Sequence, residues 1–421
     1  MSRVDRRGCA VSGAGPAALE AFERALHAYQ SWREGVEAPL ALALEAAPAF
    51  VMAHVLRAYL LVCSRDPVRV ASARAVLDRA SALPANGRER MHLAAIAAVV
   101  ERDDFESARS TLGALLLREP RDVLALQAAH SFDYVSGDAK GMHERVEGVL
   151  PAWSNEVPGH HAVLAMHAFS LEEIGRYDEA EASARAALAL DPLDARAHHA
   201  MLHVFEMNGR AAAGDRWLDE HAGAWATGSV VAVHCWWHRA LFQLALGRPE
   251  RALALYDERI RADRSPAIAD LIDASALLWR IDLAGCDAGA RWAELADAWA
   301  PHIDDGFCSF NDVHAMLAFV GARDWARADR LERALLTAHA RLTRHGKTTR
   351  QLGLAACGAL AALGHGDDSR AIELLASVPA QARRLGGSHA QRDVLNLTRG
   401  RAIERLSARD RQLHGDRLRA A

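Results

Sequence analysis

Two pairs of histidines have a spacing that would place their side chains on one face of a helix. His199 and His203 are four residues apart, with Glu206 three residues further on, and His234 and His238 repeat the four-residue spacing. Residues at i, i+4 and i+7 of a helix lie on the same side. Paired imidazoles beside a carboxylate bind zinc or a related metal ion, or they provide a general base without any metal.

The sequence leaves both alternatives open and favours a metal-free polar pocket over a divalent metal site. The segment HAMLH lacks the internal glutamate of the HExxH metalloprotease motif. Histidines are nevertheless concentrated here, because nine of the 21 lie between His160 and His238, where about four would be expected by chance. The candidate catalytic residues are His203, His238, Glu206 and, further along the chain, Asp312. No cofactor is identified by the sequence.

A second group of polar residues occurs in the C-terminal half. Asn311, Asp312 and His314 fall within one predicted groove helix that begins near Ser309. Together with the central histidines they form one predicted ligand-binding set: His199, His203, Glu206, His234, His238, Asn311, Asp312, His314, Arg392 and Asp393.

The last two members of this set belong to LGGSHAQRDVLNL, Leu385 to Leu397, which departs from the surrounding pattern. Ser388 is a suitable N-cap after two glycines. The polar residues that follow suit either a solvated end of the protein or hydrogen bonding to a ligand or another helix. We expect this segment to curl back, so that Arg392 and Asp393 approach the central pocket, close it, and bring Arg392 to Asp312 or to an anionic ligand group.

The elements that position these residues are helical hairpins that recur along the chain. In the segment from His161 to Asp194, apolar residues follow helical spacing, Gly175 marks a turn, and Pro192 marks the end. The pattern is that of a 34-residue tetratricopeptide repeat, in which the first helix of each pair lines a concave surface. We therefore predict an all-α protein, a right-handed α-solenoid of tetratricopeptide-like helical hairpins. Further copies are predicted at 89–122, 123–156, 195–228 and 233–266, around Trp325 and Gly366, and more weakly from Ala17 and Phe50.

Composition excludes several functional classes. The formal net charge is −4, which gives no general electrostatic reason to bind nucleic acid or an anionic membrane. No apolar run is long enough to span a membrane, and six cysteines without a CxxC pair favour a reducing, cytoplasmic location. The predicted organisation is a flexible N-terminus over 1–16, a single solenoid over 17–405 and a charged C-terminal tail over 406–421.

Five segments resemble, in the same order, the tetratricopeptide repeat protein 38 family: HAFSLEE, HHAMLHVFEM, HCWWHRAL, the FND-H group at Phe310 to His314, and LGGSHAQRDVLNL. The resemblance covers about residues 20–405. It implies a soluble, intracellular helical repeat protein, and it implies no particular reaction or partner. Cys235 and Trp236 depart from the more polar stretch expected there. The resemblance implies that eight residues belong to the family's characteristic set: His203, Glu206, His238, Asn311, Asp312, His314, Arg392 and Asp393.

Two functions follow from the sequence, and a third stays open. The first is a solenoid whose His/Asp/Glu-rich pocket binds a small polar molecule or a short peptide. The second is a hydrolase or lyase that uses the same residues, with or without a metal. The third is a protein–protein interaction scaffold, which would expose apolar patches on its convex face. A homo-oligomer is compatible with each of them.

Overall fold

Helices dominate the computed structural model, which describes residues 3–64 and 66–420, and for 413–420 the backbone only. The predicted all-α class is confirmed. The chain divides into two compact units, Met1–Phe242 and Gln243–Ala421, where the sequence predicted one solenoid over 17–405. The boundary falls within a helix, and because no proline, glycine or polar linker marks it, composition gave no sign of it.

The first unit consists of helices that pack as consecutive pairs. They are α1 Pro16–Gln30, α2 Glu37–Ala46, α3 Val51–Val62, α4 Pro67–Ser81, α5 Gly87–Arg102, α6 Phe105–Leu116, α7 Val123–Ser136, α8 Ala139–Val149, α9 His160–Glu173, α10 Tyr177–Leu190, α11 Ala195–Met207, α12 Ala211–Glu220, α13 Ala222–Trp225 and α14 Ala232–Ala245, with a 3₁₀ turn at Leu150–Ala152.

The second unit contains helices of very uneven length and two π-helical segments. Its elements are α15 Pro249–Leu255, α16 Ile268–Leu283, α17 Arg291–Trp299, α18 Ser309–Gly321, α19 Trp325–Ala338, α20 Arg344–Thr348, α21 Leu354–Gly364, α22 Asp368–Leu374, α23 Val378–Gln381, α24 His389–Arg392 and α25 Val394–Ala420. The π segments are Tyr256–Ile260 and Thr349–Gly353, and 3₁₀ turns occur at Ala300–His302 and Ala382–Leu385.

Helix boundaries follow the signals of the repeat pattern. Aspartates cap the N-termini of several helices, among them Asp122 at α7 and Asp194 at α11, each accepting a hydrogen bond from a backbone N–H three residues on. Gly137 and Gly175 end helices with positive φ angles, which glycine adopts without strain. The predicted units therefore coincide with helix pairs in the structure. The sequence pattern missed the pair α16 and α17, which lies between two predicted units.

The N-terminal segment is a correction to the prediction. Residues 1 and 2 of the predicted flexible stretch 1–16 lie outside the described residues, and within the rest Arg3–Val4 and Ala10–Val11 form an antiparallel two-stranded hairpin. Arg7 is buried, and its guanidinium contacts both carboxylate oxygens of Glu23 on α1 at 2.7 and 2.9 Å. Such a bidentate pair fixes the hairpin against the first helix. At the other end, 406–420 continues helix α25 without a break.

A buried polar chain holds α3, α5 and α7 together. The Tyr59 hydroxyl lies 3.0 Å from His92 Nδ1, and His92 Nε2 lies 2.9 Å from Asp122. Arg88 Nε donates to the same carboxylate oxygen of Asp122 at 2.5 Å. Burial alone would raise the pKa of Asp122, but Arg88 and His92 outweigh burial and lower it far below the ordinary value. The carboxylate is therefore charged in the folded protein.

Helices α12 and α14 cross closely at a glycine, which gives a test of the packing. A Cβ atom at Gly214 would lie 2.4 Å from the ring of Phe242. We expect Gly214→Ala to lower the free energy of unfolding by about 1–3 kcal/mol, because the ring must move. The matched control is Gly148→Ala on α8, where a Cβ meets nothing within 4 Å. The higher helix propensity of alanine should raise its free energy of unfolding by at most about 1 kcal/mol. Urea denaturation of both variants checks this, and equal midpoints would contradict it.

None of the described helices combines the length and the apolar character needed to cross a bilayer.

Candidate functional site: a four-histidine cluster

Two helices of the first unit bring the predicted histidines together. Helix α11 carries His199 and His203, and α14 carries His234 and His238. Small residues such as Ala200 on α11 are fully buried, which allows close helix approach. The shared register of consecutive helix pairs therefore puts both i, i+4 pairs on facing sides, as the sequence predicted.

The four imidazoles form one compact group. One ring nitrogen from each residue lies within 4.8 Å of the corresponding nitrogen of the other three. His199 Nε2 and His203 Nε2 are 3.0 Å apart, and the ring centroids of His203 and His238 are 4.6 Å apart. Four basic nitrogens in so small a volume form a ready donor set for a metal ion.

The cluster lies deeper than the open groove that the sequence suggested. His203 and His238 have no exposed surface and His199 is 5% exposed, whereas His234 is half-buried. The ring centroids of Phe169, from α9, and His203 are 5.4 Å apart, and those of Trp32, which follows α1, and His199 are also 5.4 Å apart. These aromatic rings give the buried side of the cluster an apolar surround.

Glu206 occupies the position that the sequence assigned to it, at the end of α11. Its Oε2 atom lies 3.0 Å from Nδ1 of His238. A carboxylate that accepts from one nitrogen of an imidazole fixes the ring and leaves Nε2 as the lone-pair side, which is the usual outer-shell arrangement of a metal-bound histidine. Glu206 is therefore an orienting partner of the cluster.

Burial keeps one histidine of the cluster neutral. Desolvation, and then the neighbouring His203, His234 and His238, hold the pKa of His199 well below its ordinary value. The imidazole is consequently neutral at neutral pH. Neutral imidazole is the form that ligates metals.

Acid should destabilise the first unit, and His130 on α7 makes the test quantitative. Burial lowers its pKa to about 3, while an unfolded histidine titrates near 6.5. Between these values the unfolded chain binds more protons, so the stabilisation is complete above about pH 6.5 and is lost as the pH falls. We expect protonation of His130 in the unfolded chain to lower the free energy of unfolding by about 2 kcal/mol at pH 5 relative to neutral pH. His130→Gln should flatten the fall in urea midpoint between pH 7 and pH 5, and an unchanged slope would contradict this.

The second unit holds the other predicted polar group. Asp312 on α18 lies 2.8 Å from His345 Nε2, and the Thr349 hydroxyl lies 3.2 Å from the same nitrogen. Burial raises the pKa of Asp312, which the hydrogen bond from His345 only partly offsets. Asn311 and His314 are buried on the same helix, and His314 Nδ1 lies 2.7 Å from the Phe310 carbonyl oxygen.

The sequence missed His345, which has the closest contact with Asp312. It lies on the short helix α20, just before the π segment Thr349–Gly353. This helix is five residues long, too short to show an apolar period in the sequence. The spacing of four between His345 and Thr349 was the available signal. Asp312 and Thr349 both contact Nε2, while Nδ1 of His345 is buried without a hydrogen-bond partner among the described residues.

The C-terminal segment uses its polar groups to hold its own fold. Ser388 caps α24 as predicted, and Arg392 donates to the Gly387 carbonyl oxygen. Asp393 accepts from Asn396 at 3.1 Å. Gln391 Nε2 donates to Asp273 on α16 at 3.1 Å, so the segment is tied to another helix of the second unit. The approach of Arg392 and Asp393 to the central histidines stays a prediction.

Two further groups of metal-ligating side chains occur among the described residues, and both belong to the first unit. One combines His143, Glu147 and His167, where the Arg176 guanidinium donates to His143 and brings a positive charge. The other combines His27, His161 and Asp191, where the His27 side chain is 59% exposed. The four-histidine cluster is the most buried of the three.

No model of a known protein family matches this chain.

Proposed function

We propose that the protein binds a divalent first-row transition-metal ion through His199, His203, His234 and His238. The observation that carries the proposal is the convergence of four imidazole nitrogens within 4.8 Å of one another. Ligands of a tetrahedral zinc ion at about 2.0–2.1 Å from the metal are about 3.3 Å apart. Small side-chain rotations therefore suffice to complete the shell.

The chemistry of the donors decides the class of metal. Imidazole suits zinc, copper, nickel, cobalt and iron, whereas magnesium and calcium require oxygen ligands. Glu206, 3.0 Å from His238 Nδ1, supports the cluster from outside and raises the basicity of the bound imidazole.

The least buried of the four histidines lies on the side from which a small molecule would reach the metal. His199, His203 and His238 form the buried part of the set, and His234 is half-buried. A small polar molecule with an oxygen or nitrogen donor takes its place beside or instead of His234. The metal thus supplies the recognition of a small polar molecule that the sequence predicted for these residues.

A hydrolase or lyase is the second candidate. Glu206 is 23% exposed at its side chain, so a carboxylate stands beside the cluster with access to solvent. A bound metal would supply an acidic water, and Glu206 is the carboxylate near the cluster that could take up a proton from solvent at its edge. Turnover of activated esters by the metal-saturated protein, lost in Glu206→Gln at equal metal occupancy, distinguishes an enzyme from a binding protein.

The helix pairs support a proposed relation to tetratricopeptide-like repeats and to the tetratricopeptide repeat protein 38 family. Two of the motifs that carry the resemblance, HHAMLHVFEM and HCWWHRAL, supply all four histidines of the cluster. The solenoid shape, a cytoplasmic location and the small-molecule or peptide partner belong to the same proposal.

The experiment is a titration of chelator-treated protein with Co²⁺ and Zn²⁺. Tetrahedral Co²⁺ in a nitrogen shell absorbs strongly in the visible range, and Zn²⁺ should displace it and raise the melting temperature. We expect one tightly bound ion per chain. The proposal fails if neither the visible band nor a change in melting temperature appears at a stoichiometric metal concentration.

A further inference from the structure

A cleft of about 490 Å³ opens in the first unit beside the histidine cluster. The end of α1, the end of α3, the middle of α7 and the start of α11 line it, with Tyr29, Cys63, Gln127 and Arg196 among the lining residues. Its volume lies within the range of small-molecule sites. The proposed metal site makes no use of this cleft.

The charged group at its buried wall is Arg196. This residue is 4% exposed, and its guanidinium lies over the Trp32 ring, 4.6 Å from the ring centroid. Among the described residues, no oxygen accepts a hydrogen bond from this guanidinium. Burial lowers its pKa to about 10, so it is still charged at neutral pH. This guanidinium has its Nε–H buried without an acceptor in the described part of the chain, and Asp194 acts on it only through space, so an anion in the cleft beside it would be stabilised.

Trp32 is held in a strained conformation against this cation. Its φ angle is +53°, a left-handed value that costs a bulky residue about 1–3 kcal/mol. Backbone hydrogen bonds enforce it, from Arg33 N to the Ala28 carbonyl oxygen at 2.8 Å and from Val230 N to the Trp32 carbonyl oxygen at 3.1 Å. The surrounding chain thus fixes the indole as a wall of the cleft, and strain of this kind is typical of binding sites.

The other polar groups of the buried wall are neutral. Burial raises the pKa of the Cys63 thiol to about 11 and that of the Tyr29 hydroxyl well above its ordinary value. Neither provides an anion for Arg196 at neutral pH. The carboxylates among the lining residues, Glu34 and Glu37, are exposed at the rim. The cleft is therefore positive at its buried wall, with apolar surface from residues such as Leu60 and Val230.

We propose that this cleft binds a small organic carboxylate, whose two oxygens each accept a hydrogen bond from the Arg196 guanidinium. The apolar body of the ligand lies against Trp32 and the aliphatic side chains of the cleft. The planar guanidinium matches a carboxylate in two parallel hydrogen bonds, which satisfies the donors that the protein leaves without acceptors.

Calorimetric titration with benzoate, acetate and phenyl phosphate, and with the neutral amides benzamide and acetamide, tests this proposal. We expect benzoate to bind the wild type at least about tenfold more tightly than benzamide, because only the anion pairs with the guanidinium. Benzoate affinity should fall by at least about tenfold in Arg196→Gln and in Arg196→Lys, which keeps the charge and loses the planar fork. Arg24→Gln is the matched control, since this arginine on α1 is 54% exposed and should leave affinity unchanged.

Four results would overturn the proposal: no carboxylate binds at millimolar concentration, benzoate and benzamide bind equally, Arg196→Lys binds like the wild type, or phenyl phosphate binds more tightly than benzoate. If Arg196→Gln does not fold, the lysine variant decides alone. The metal proposal is tested separately, because His203→Ala/His238→Ala should lose metal and keep benzoate binding.

Discussion

Replacing His203 and His238 together by alanine is expected to weaken the binding of Zn²⁺ and Co²⁺ by at least about 100-fold. The double variant removes two of the four nitrogens that lie within 4.8 Å of one another, one from each helix. Two histidines that remain on different helices cannot hold the ion as a four-ligand set does. Competition with a chromophoric chelator measures the affinity, and the visible band of bound Co²⁺ should disappear.

The matched control lies next to the cluster on the same helix. His198 is as buried as the ligands, at 1% exposed, but its Nε2 lies 3.0 Å from the Pro192 carbonyl oxygen and its ring packs near Trp217. His198→Ala carries a similar cost of losing a buried imidazole and should change metal affinity by less than about twofold. Equal losses in both variants would mean that the effect is loss of fold.

Glu206 allows a finer test of the same site. Removing an outer-shell carboxylate from a metal-bound histidine lowers metal affinity by about 10–100-fold. Glu206→Gln should fall in this range, because the amide keeps a group near His238 Nδ1 and loses the charge. An affinity equal to that of the wild type would remove Glu206 from the metal site and leave it as a surface carboxylate.

The convergence of the histidines was predictable because it depends on local periodicity. An i, i+4 pair shares a helix face in any helix, and adjacent helix pairs repeat the same register. The depth of the cluster was not predictable, since Trp32, which packs against His199, lies far earlier in the chain, directly after α1. Burial by residues distant in sequence decided that the site is an enclosed set of imidazoles and not a groove surface.

The features that the sequence missed have no periodic signal. The contact of His345 with Asp312 comes from the five-residue helix α20, which leads directly into a π segment, and a helix this short shows no apolar period in the sequence. The cleft of Arg196 depends on Trp32 at a positive φ angle, where glycine or asparagine is the expected residue. In both places the local backbone departs from the conformation that residue propensity favours, and tertiary contacts enforce the departure.

Asp122→Ala is expected to lower the free energy of unfolding by about 3–5 kcal/mol. The carboxylate caps α7, accepts from Arg88 Nε at 2.5 Å and lies 2.9 Å from His92 Nε2. Its removal leaves a buried guanidinium, 8% exposed, without its closest counter-charge. Arg88 also donates to the Ala10 carbonyl oxygen, so the N-terminal hairpin should lose protection from hydrogen exchange in the same variant.

Two matched substitutions separate the cap from the charge. Asp104 caps α6 at a more exposed position, through the backbone N–H of Ser107, and Asp104→Ala should cost only about 0.5–2 kcal/mol. Asp122→Asn keeps an oxygen for the cap and removes the negative charge, so it should behave like Asp122→Ala if the unpaired Arg88 dominates. Urea denaturation orders the three variants. A cost for Asp122→Asn no larger than that for Asp104→Ala would show that the cap, and not the buried ion pair, holds α5 and α7 together.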